Sequence, residues 1–381
     1  MKPFVLLWLF GLCLRTTVLA VPPVMPMIHD SLALSQAQVG ALTSLPVLLF
    51  SFAAVPGSLL IARFGAFRVV LAGTVLTAVG SALRGLSTGP VLLFATTIVM
   101  SAGVAIMQPI MPTTVRQWLP NRIGLGTAIY TNGLLVGEIF PTLLTIPLIL
   151  PLLAGSWRMS LIFWSVPIAI IALVIYLFAP RVHADHAALS RKWLPDWHVG
   201  LVWRLGALFC CINAIYFSAN AFIPIYLTSA GRSDLIGGAL SALNFGQLPA
   251  SLLLLMVAGE LERRAWPYLA SGILSLVSIV GLVTMVGPAT IVWAALLGFS
   301  DSAALIVGLT LPALLCRPED VARTSAGMFT ISYGGAVAIA VLSGAAWDIS
   351  RIPALAFVPI AGCAIGLAAS AAGMRSKQQL L

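Results

Sequence analysis

Residues 4–28 read FVLLWLFGLCLRTTVLAVPPVMPMI, a stretch with few polar groups and a single charge, Arg15. A helix needs about 20 apolar residues to cross a hydrocarbon layer ~30 Å thick. The run is long enough, and the same pattern recurs down the chain. Twelve such stretches can be drawn: 4–28, 39–62, 69–86, 91–115, 124–148, 159–179, 205–228, 236–258, 267–286, 289–315, 324–346 and 353–374. The connections between them are short and carry Gly, Pro or charge, as in Arg63-Phe64-Gly65 and Arg317-Pro318-Glu319-Asp320. The chain therefore reads as an all-α membrane protein of twelve transmembrane helices.

Composition excludes the main alternatives. Of 381 residues 60% are hydrophobic and 8% charged, against about 25% charged in a soluble domain. No ten-residue alternating strands of the outer-membrane barrel type are visible. Fifteen Lys and Arg fall on one side of the twelve-span topology and four on the other, Arg84, Arg158, Arg232 and Arg351. That bias places both termini in the cytoplasm and the chain in the inner membrane. The net charge of +9 thus reports orientation, and basic residues scattered over many loops form no nucleic-acid patch. Lys2 before an apolar run, with Val18-Leu19-Ala20 behind it, resembles a secretory signal. Arg15 interrupts that run, so the segment reads as a retained first helix. Cys13, Cys210, Cys211, Cys316 and Cys363 show no metal or redox spacing and read as small packing residues.

Pro180 to Val199 is the one long polar stretch. It suggests a cytoplasmic loop, drawn as residues 181–203, between a first bundle (1–180) and a second (204–381). His183 and His186 within it read as solvated loop residues rather than a metal pair. The two parts share motifs. Pro26 with Gly40-Ala41-Leu42 recurs as Pro224 with Gly238-Ala239-Leu240, and Pro56-Gly57-Ser58-Leu59-Leu60 as Pro249-Ala250-Ser251-Leu252-Leu253. Pro112, Arg116, Gly126 and Gly133 recur as Pro312, Arg317, Gly327 and Gly334, allowing one inserted residue. Parallel six-span repeats are the sequence mark of the major facilitator fold, two six-helix bundles with the substrate near midplane.

The chain resembles the cyanate permease and nitroimidazole transporter branch of the major facilitator superfamily over nearly its whole length. Carrying the resemblance are Leu14-Arg15, the stretch Gly124 through Thr131, Leu311-Pro312-Ala313-Leu314, Arg317, Ser332-Tyr333-Gly334, and Gly344 through Asp348. The superfamily's loop signature is degraded: Gly57 and Arg63-Phe64-Gly65 remain, but Ala62 stands where an Asp is usual. The resemblance implies a transporter of small anions or compact polar heterocycles.

Charge in mid-bilayer is expensive, so the ionisable residues there mark candidate sites. Arg15 lies about 16 Å into the first span, with Glu138 and Asp301 near the middles of the fifth and tenth. Arg15 offers a planar fork of donors to a small anion, or else forms a permanent ion pair with Glu138. Glu138 and Asp301 are candidate proton carriers, because loss of water favours the neutral carboxyl. Neutral candidates for a substrate lining are Gln108, Tyr130, Asn213, Tyr216, Asn220, Asn244, Gln247 and Tyr333. Asn213, Tyr216 and Asn220 share one helical face, and each of the eight has interhelical hydrogen bonding as its other reading. Pro22, Pro23 and Pro26 break the first helix just beyond Arg15.

The chain holds no phosphate-binding loop of the Gly-Lys-Ser type, no Ser-His-Asp set and no zinc spacing. Neither an enzyme nor an ATP-driven motor is expected, and no cofactor or metal. Gly137 is followed by Glu138, where the antiporter signature pairs Gly with Pro, so Gly133 and Gly137 read as helix-packing residues. The expectation is a monomeric secondary transporter importing a small anion or heterocycle with a proton. A multidrug-type effluxer with a structural Arg15 is the alternative.

Overall fold

The computed structural model describes residues 2–34, 36–179, 194–261, 264–285 and 287–378. Twelve helical stretches among them are long and apolar enough to cross a membrane. They are α1 (Pro3–Leu32), α2 (Ser44–Phe64), α3 (Ala66–Gly85), α4 (Pro90–Met107), α5 (Ile123–Leu152), α6 (Trp157–Phe178), α7 (Gly200–Ser229), α8 (Ser233–Val257), α9 (Trp266–Thr284), α10 (Ala289–Leu315), α11 (Pro318–Ser350) and α12 (Pro353–Ala371). An extended helix satisfies its own backbone where no water can. Large apolar side chains such as Val91, Met256 and Ile349 stay more than four-fifths exposed, which suits a lipid-facing surface. Most of the loop between the two parts, with His183 and His186, lies outside the described residues.

Several helices break where the chain dictates it. Proline lacks the N–H that its i−4 carbonyl requires. Pro112 so deprives Gln108, and the helix after Met107 resumes at Ile110–Trp118. Pro249 deprives Phe245, and α8 is interrupted at Gly246. Between α2 and α3, Gly65 takes φ +80°, a conformation that favours glycine, so the chain reverses within one residue.

The first helix breaks twice. One break is a 3₁₀ turn over Pro22–Val24, the interruption expected from the prolines. The other comes earlier, at Leu14 and Arg15 themselves, which leave the helical path before Thr16–Leu19 resumes it. No proline explains it. Thr16 Oγ1 donates to the Leu12 carbonyl at 2.8 Å, a back-bond of the kind that bends helices, and the Arg15 N–H donates to the same carbonyl at 3.4 Å.

The chain forms two compact units: residues 1–196 with 312–330, and residues 197–311 with 331–381. Within the first, Ser51 Oγ donates to the Thr330 carbonyl and Thr330 Oγ1 to the Ser51 carbonyl, each at 3.0 Å. Arg116 Nη1 donates to the Ala313 carbonyl at 2.8 Å and to the Cys316 carbonyl, a cation at a helix C-terminus. These bonds hold 312–330 within the first unit. A buried apolar cluster in the same unit joins Ala20, Val21, Val24 and Ile28 to Leu161 and Trp164 of α6.

Candidate functional site

In the first unit α1 and α5 meet backbone to backbone. A Cβ on Gly11 would overlap the Tyr130 carbonyl, and one on Gly133 the Trp8 carbonyl; one on Gly137 would stand 2.7 Å from the Leu12 carbonyl. Gly133 and Gly137 therefore do serve close packing. Trp8 Nε1 donates to Asn132 Oδ1 at 2.9 Å and sets the register. Contact this close, one turn from the break, brings Arg15 to Glu138: Nε lies 3.1 Å from Oε1. Both residues are less than a tenth exposed. The Arg15 guanidinium also stands 5.4 Å from the centre of the Phe50 ring, within cation–π range. A guanidinium carries five donors in a plane, more than one carboxylate takes up.

A second arginine is buried nearby. Arg84, at the end of α3, is 1% exposed. Its Nη2 donates to the Thr17 carbonyl at 2.5 Å and to Ser81 Oγ at 3.3 Å. The sequence weighs Arg84 only as one of the four charges on the minority side of the topology; the structure shows that its side chain is buried. What draws it inward is a carbonyl in the short turn between the two breaks, just ahead of Pro22. The prolines give no signal for it: Pro22 and Pro23 deprive the Val18 and Leu19 carbonyls of donors, whereas Arg84 takes that of Thr17. Gln108 and Tyr130 are also buried in the first unit, Gln108 where α4 ends and Tyr130 in the first half of α5.

The second unit gathers neutral polar groups. Tyr216 donates to Asn244 Oδ1 at 2.7 Å, and Asn244 Nδ2 lies 3.5 Å from Asn220 Oδ1. Asn213 Nδ2 donates to Ser332 Oγ at 2.7 Å, a partner not singled out for that role from sequence. Tyr333 packs on Phe217, ring centres 6.2 Å apart, and Phe217 on Tyr216. Asn213, Tyr216, Asn220, Asn244 and Tyr333 thus form one neighbourhood on α7, α8 and α11. Gln247, buried, starts the helix again after the Gly246 interruption. Asp301 is buried mid-way along α10, beside Ser300, whose hydroxyl meets that of Ser275 at 2.8 Å. Among the described residues no three His, Cys, Asp or Glu side chains converge as a metal site.

The profile of the Major Facilitator Superfamily matches residues 7–340. The chain belongs to this superfamily. Other members resemble it along most of their length. The cyanate transport protein CynX of Escherichia coli is 27% identical over 306 residues, 80% of this chain and 78% of the relative. The 2-nitroimidazole transporter of the same organism is 27% identical over 323 residues, 83% and 80%. Among solved structures, the E. coli fucose:proton symporter FucP superposes with TM-score 0.75 at 14% identity, covering 98% of both chains. The proton:xylose symporter XylE gives TM-score 0.75 at 12% identity, covering 96% and 94%. This superfamily member therefore has the twelve-helix major facilitator fold that its repeats imply, and it is a secondary transporter similar to relatives named for cyanate and 2-nitroimidazole.

Proposed function

We propose that this transporter imports a small anion or compact polar heterocycle together with a proton, by alternating access across the bacterial inner membrane. Arg15 receives the substrate and Glu138 carries the proton. The observation that carries this reading is the buried Arg15–Glu138 pair at the break in α1. An arginine at a helix break is held by its surroundings, and a partner carboxylate that takes a proton releases it to another anion. The buried charges of the first unit support the same polarity: among the described residues Arg15 and Arg84 stand against Glu138, a surplus of one positive charge that an anion offsets. Relatives named for cyanate and 2-nitroimidazole transport fit that substrate class.

In this reading Asp301 is a second proton carrier. Gln108, Tyr130, Asn213, Tyr216, Asn220, Asn244, Gln247 and Tyr333 contribute polar contacts to the substrate, and the bonded set around Tyr216 acts as a unit. The protein works as a monomer of two six-helix halves, 1–180 and 204–381, with the 181–203 loop and both termini cytoplasmic. The test uses proteoliposomes with cyanate and 2-nitroimidazole as probes. Glu138→Gln is expected to abolish accumulation driven by a pH gradient while substrate exchange persists. Accumulation at the native level in this variant would return Glu138 to a packing role and favour the multidrug-type effluxer.

A further inference from the structure

Arg84 heads the fully buried side chains by size, and pairing Arg15 with Glu138 leaves it without a task. Among the described residues no carboxylate lies within ion-pair distance of it. A lone buried charge is costly inside a bilayer, and a neutral hydroxyl would satisfy one carbonyl at far lower cost. What the guanidinium adds is a rigid reach from α3 to the turn between the two breaks of α1. Ser81, one turn back on α3, steadies the same nitrogen and itself donates to the Leu161 carbonyl of α6 at 3.4 Å. The turn it holds, Thr16–Leu19, is four residues long. A single turn fixes several dihedrals for one hydrogen bond and does not hold itself. Thr17 stands two residues past Arg15, and the apolar cluster on α6 begins only at Ala20. The turn lies packed against α5 and α6, and the Arg84 bond to Thr17 adds a hydrogen bond from α3 to its backbone, two residues from Arg15.

We propose that Arg84 is a positioning residue: by gripping the Thr17 carbonyl it fixes the broken segment so that the Arg15 guanidinium meets Glu138 and the incoming substrate. This inference rests on Arg15 being the substrate's anchor, but the grip itself can be measured without any substrate. Hydrogen exchange of residues 14–21 in the full-length protein is the first readout. Arg84→Met, of similar length but without donors, is expected to speed exchange there by about tenfold or more, the scale of one lost hydrogen bond to a charged group. Arg84→Lys, with a donor but no fork, should fall between that variant and the native protein. The second readout is transport of cyanate and 2-nitroimidazole: KM should rise about tenfold in Arg84→Met with Vmax within about twofold, since a loosened site loses placement before it loses turnover. Native exchange in folded Arg84→Met would overturn the proposal. If that variant does not fold, native exchange in Arg84→Lys would do so. Native probe binding by Arg15→Ala would instead overturn the anchor reading and leave the exchange result standing by itself.

Discussion

With Glu138 at 3.1 Å, the ion pair of Arg15 and the substrate contact proposed for it are confused by ordinary mutation. Removing one member of a buried pair leaves the other charge uncompensated, at a cost of about 3–5 kcal/mol, whether or not the pair meets substrate. Charge-preserving and paired substitutions separate the roles. Arg15→Lys keeps the charge and loses the planar fork; cyanate affinity is expected to fall by about 1.5–3 kcal/mol while the melting temperature moves little. Arg15→Ala should abolish binding, and Arg15→Ala with Glu138→Gln should recover stability but not binding. Affinity and melting temperature on these proteins and the native one decide it: a double variant that regained both would make Arg15 purely structural. In the second unit, Ser332→Ala strips Asn213 of its partner. Leaving a buried amide unsatisfied costs about 1–3 kcal/mol, read as a lower melting temperature.

Among the elements, α1 and α5 set the geometry of the pair through glycines that leave no room for a methyl. Gly11→Ala would drive a Cβ into the Tyr130 carbonyl. Overpacking of this kind costs about 1–3 kcal/mol; the expected result is a lower melting temperature together with weakened probe binding, because the two helices must part next to Arg15. An unchanged melting temperature would mean that the helices separate freely. This scale also shows what sequence can and cannot reveal. All twelve spans were legible because hydrocarbon thickness leaves little freedom in their length. The interruptions at Gln108 and Gly246 follow from Pro112 and Pro249, whose missing donors are plain in the sequence. The break at Arg15 was not legible: no proline marks it, and threonines that bond back like Thr16 also sit in unbroken helices, as Thr77 does. The approach of Arg15 to Glu138 was legible as one of two alternatives, because both are lone charges in apolar helices. Arg84 escaped because it lies one residue from the end of its helix, where a charge at the membrane surface and a buried one look alike.

For the whole molecule, charge distribution predicts sidedness. A tag at the C-terminus should react with reagents only after the membrane is made permeable; labelling in intact spheroplasts would reverse the topology. The Arg15–Glu138 pair has an electrical consequence of its own. If an anion takes the place of the Glu138 carboxylate on Arg15 while Glu138 takes up a proton, the interior of the first unit gains no net charge. Moving one elementary charge across 100 mV is worth about 2.3 kcal/mol, so an inside-negative potential opposes an anion travelling alone by that amount and leaves an anion with one proton unaffected. Cyanate uptake by proteoliposomes should therefore follow an imposed pH gradient and ignore a potassium–valinomycin potential. In Glu138→Gln, where only anion-for-anion exchange persists, no net charge crosses and the same voltage should leave that exchange unchanged.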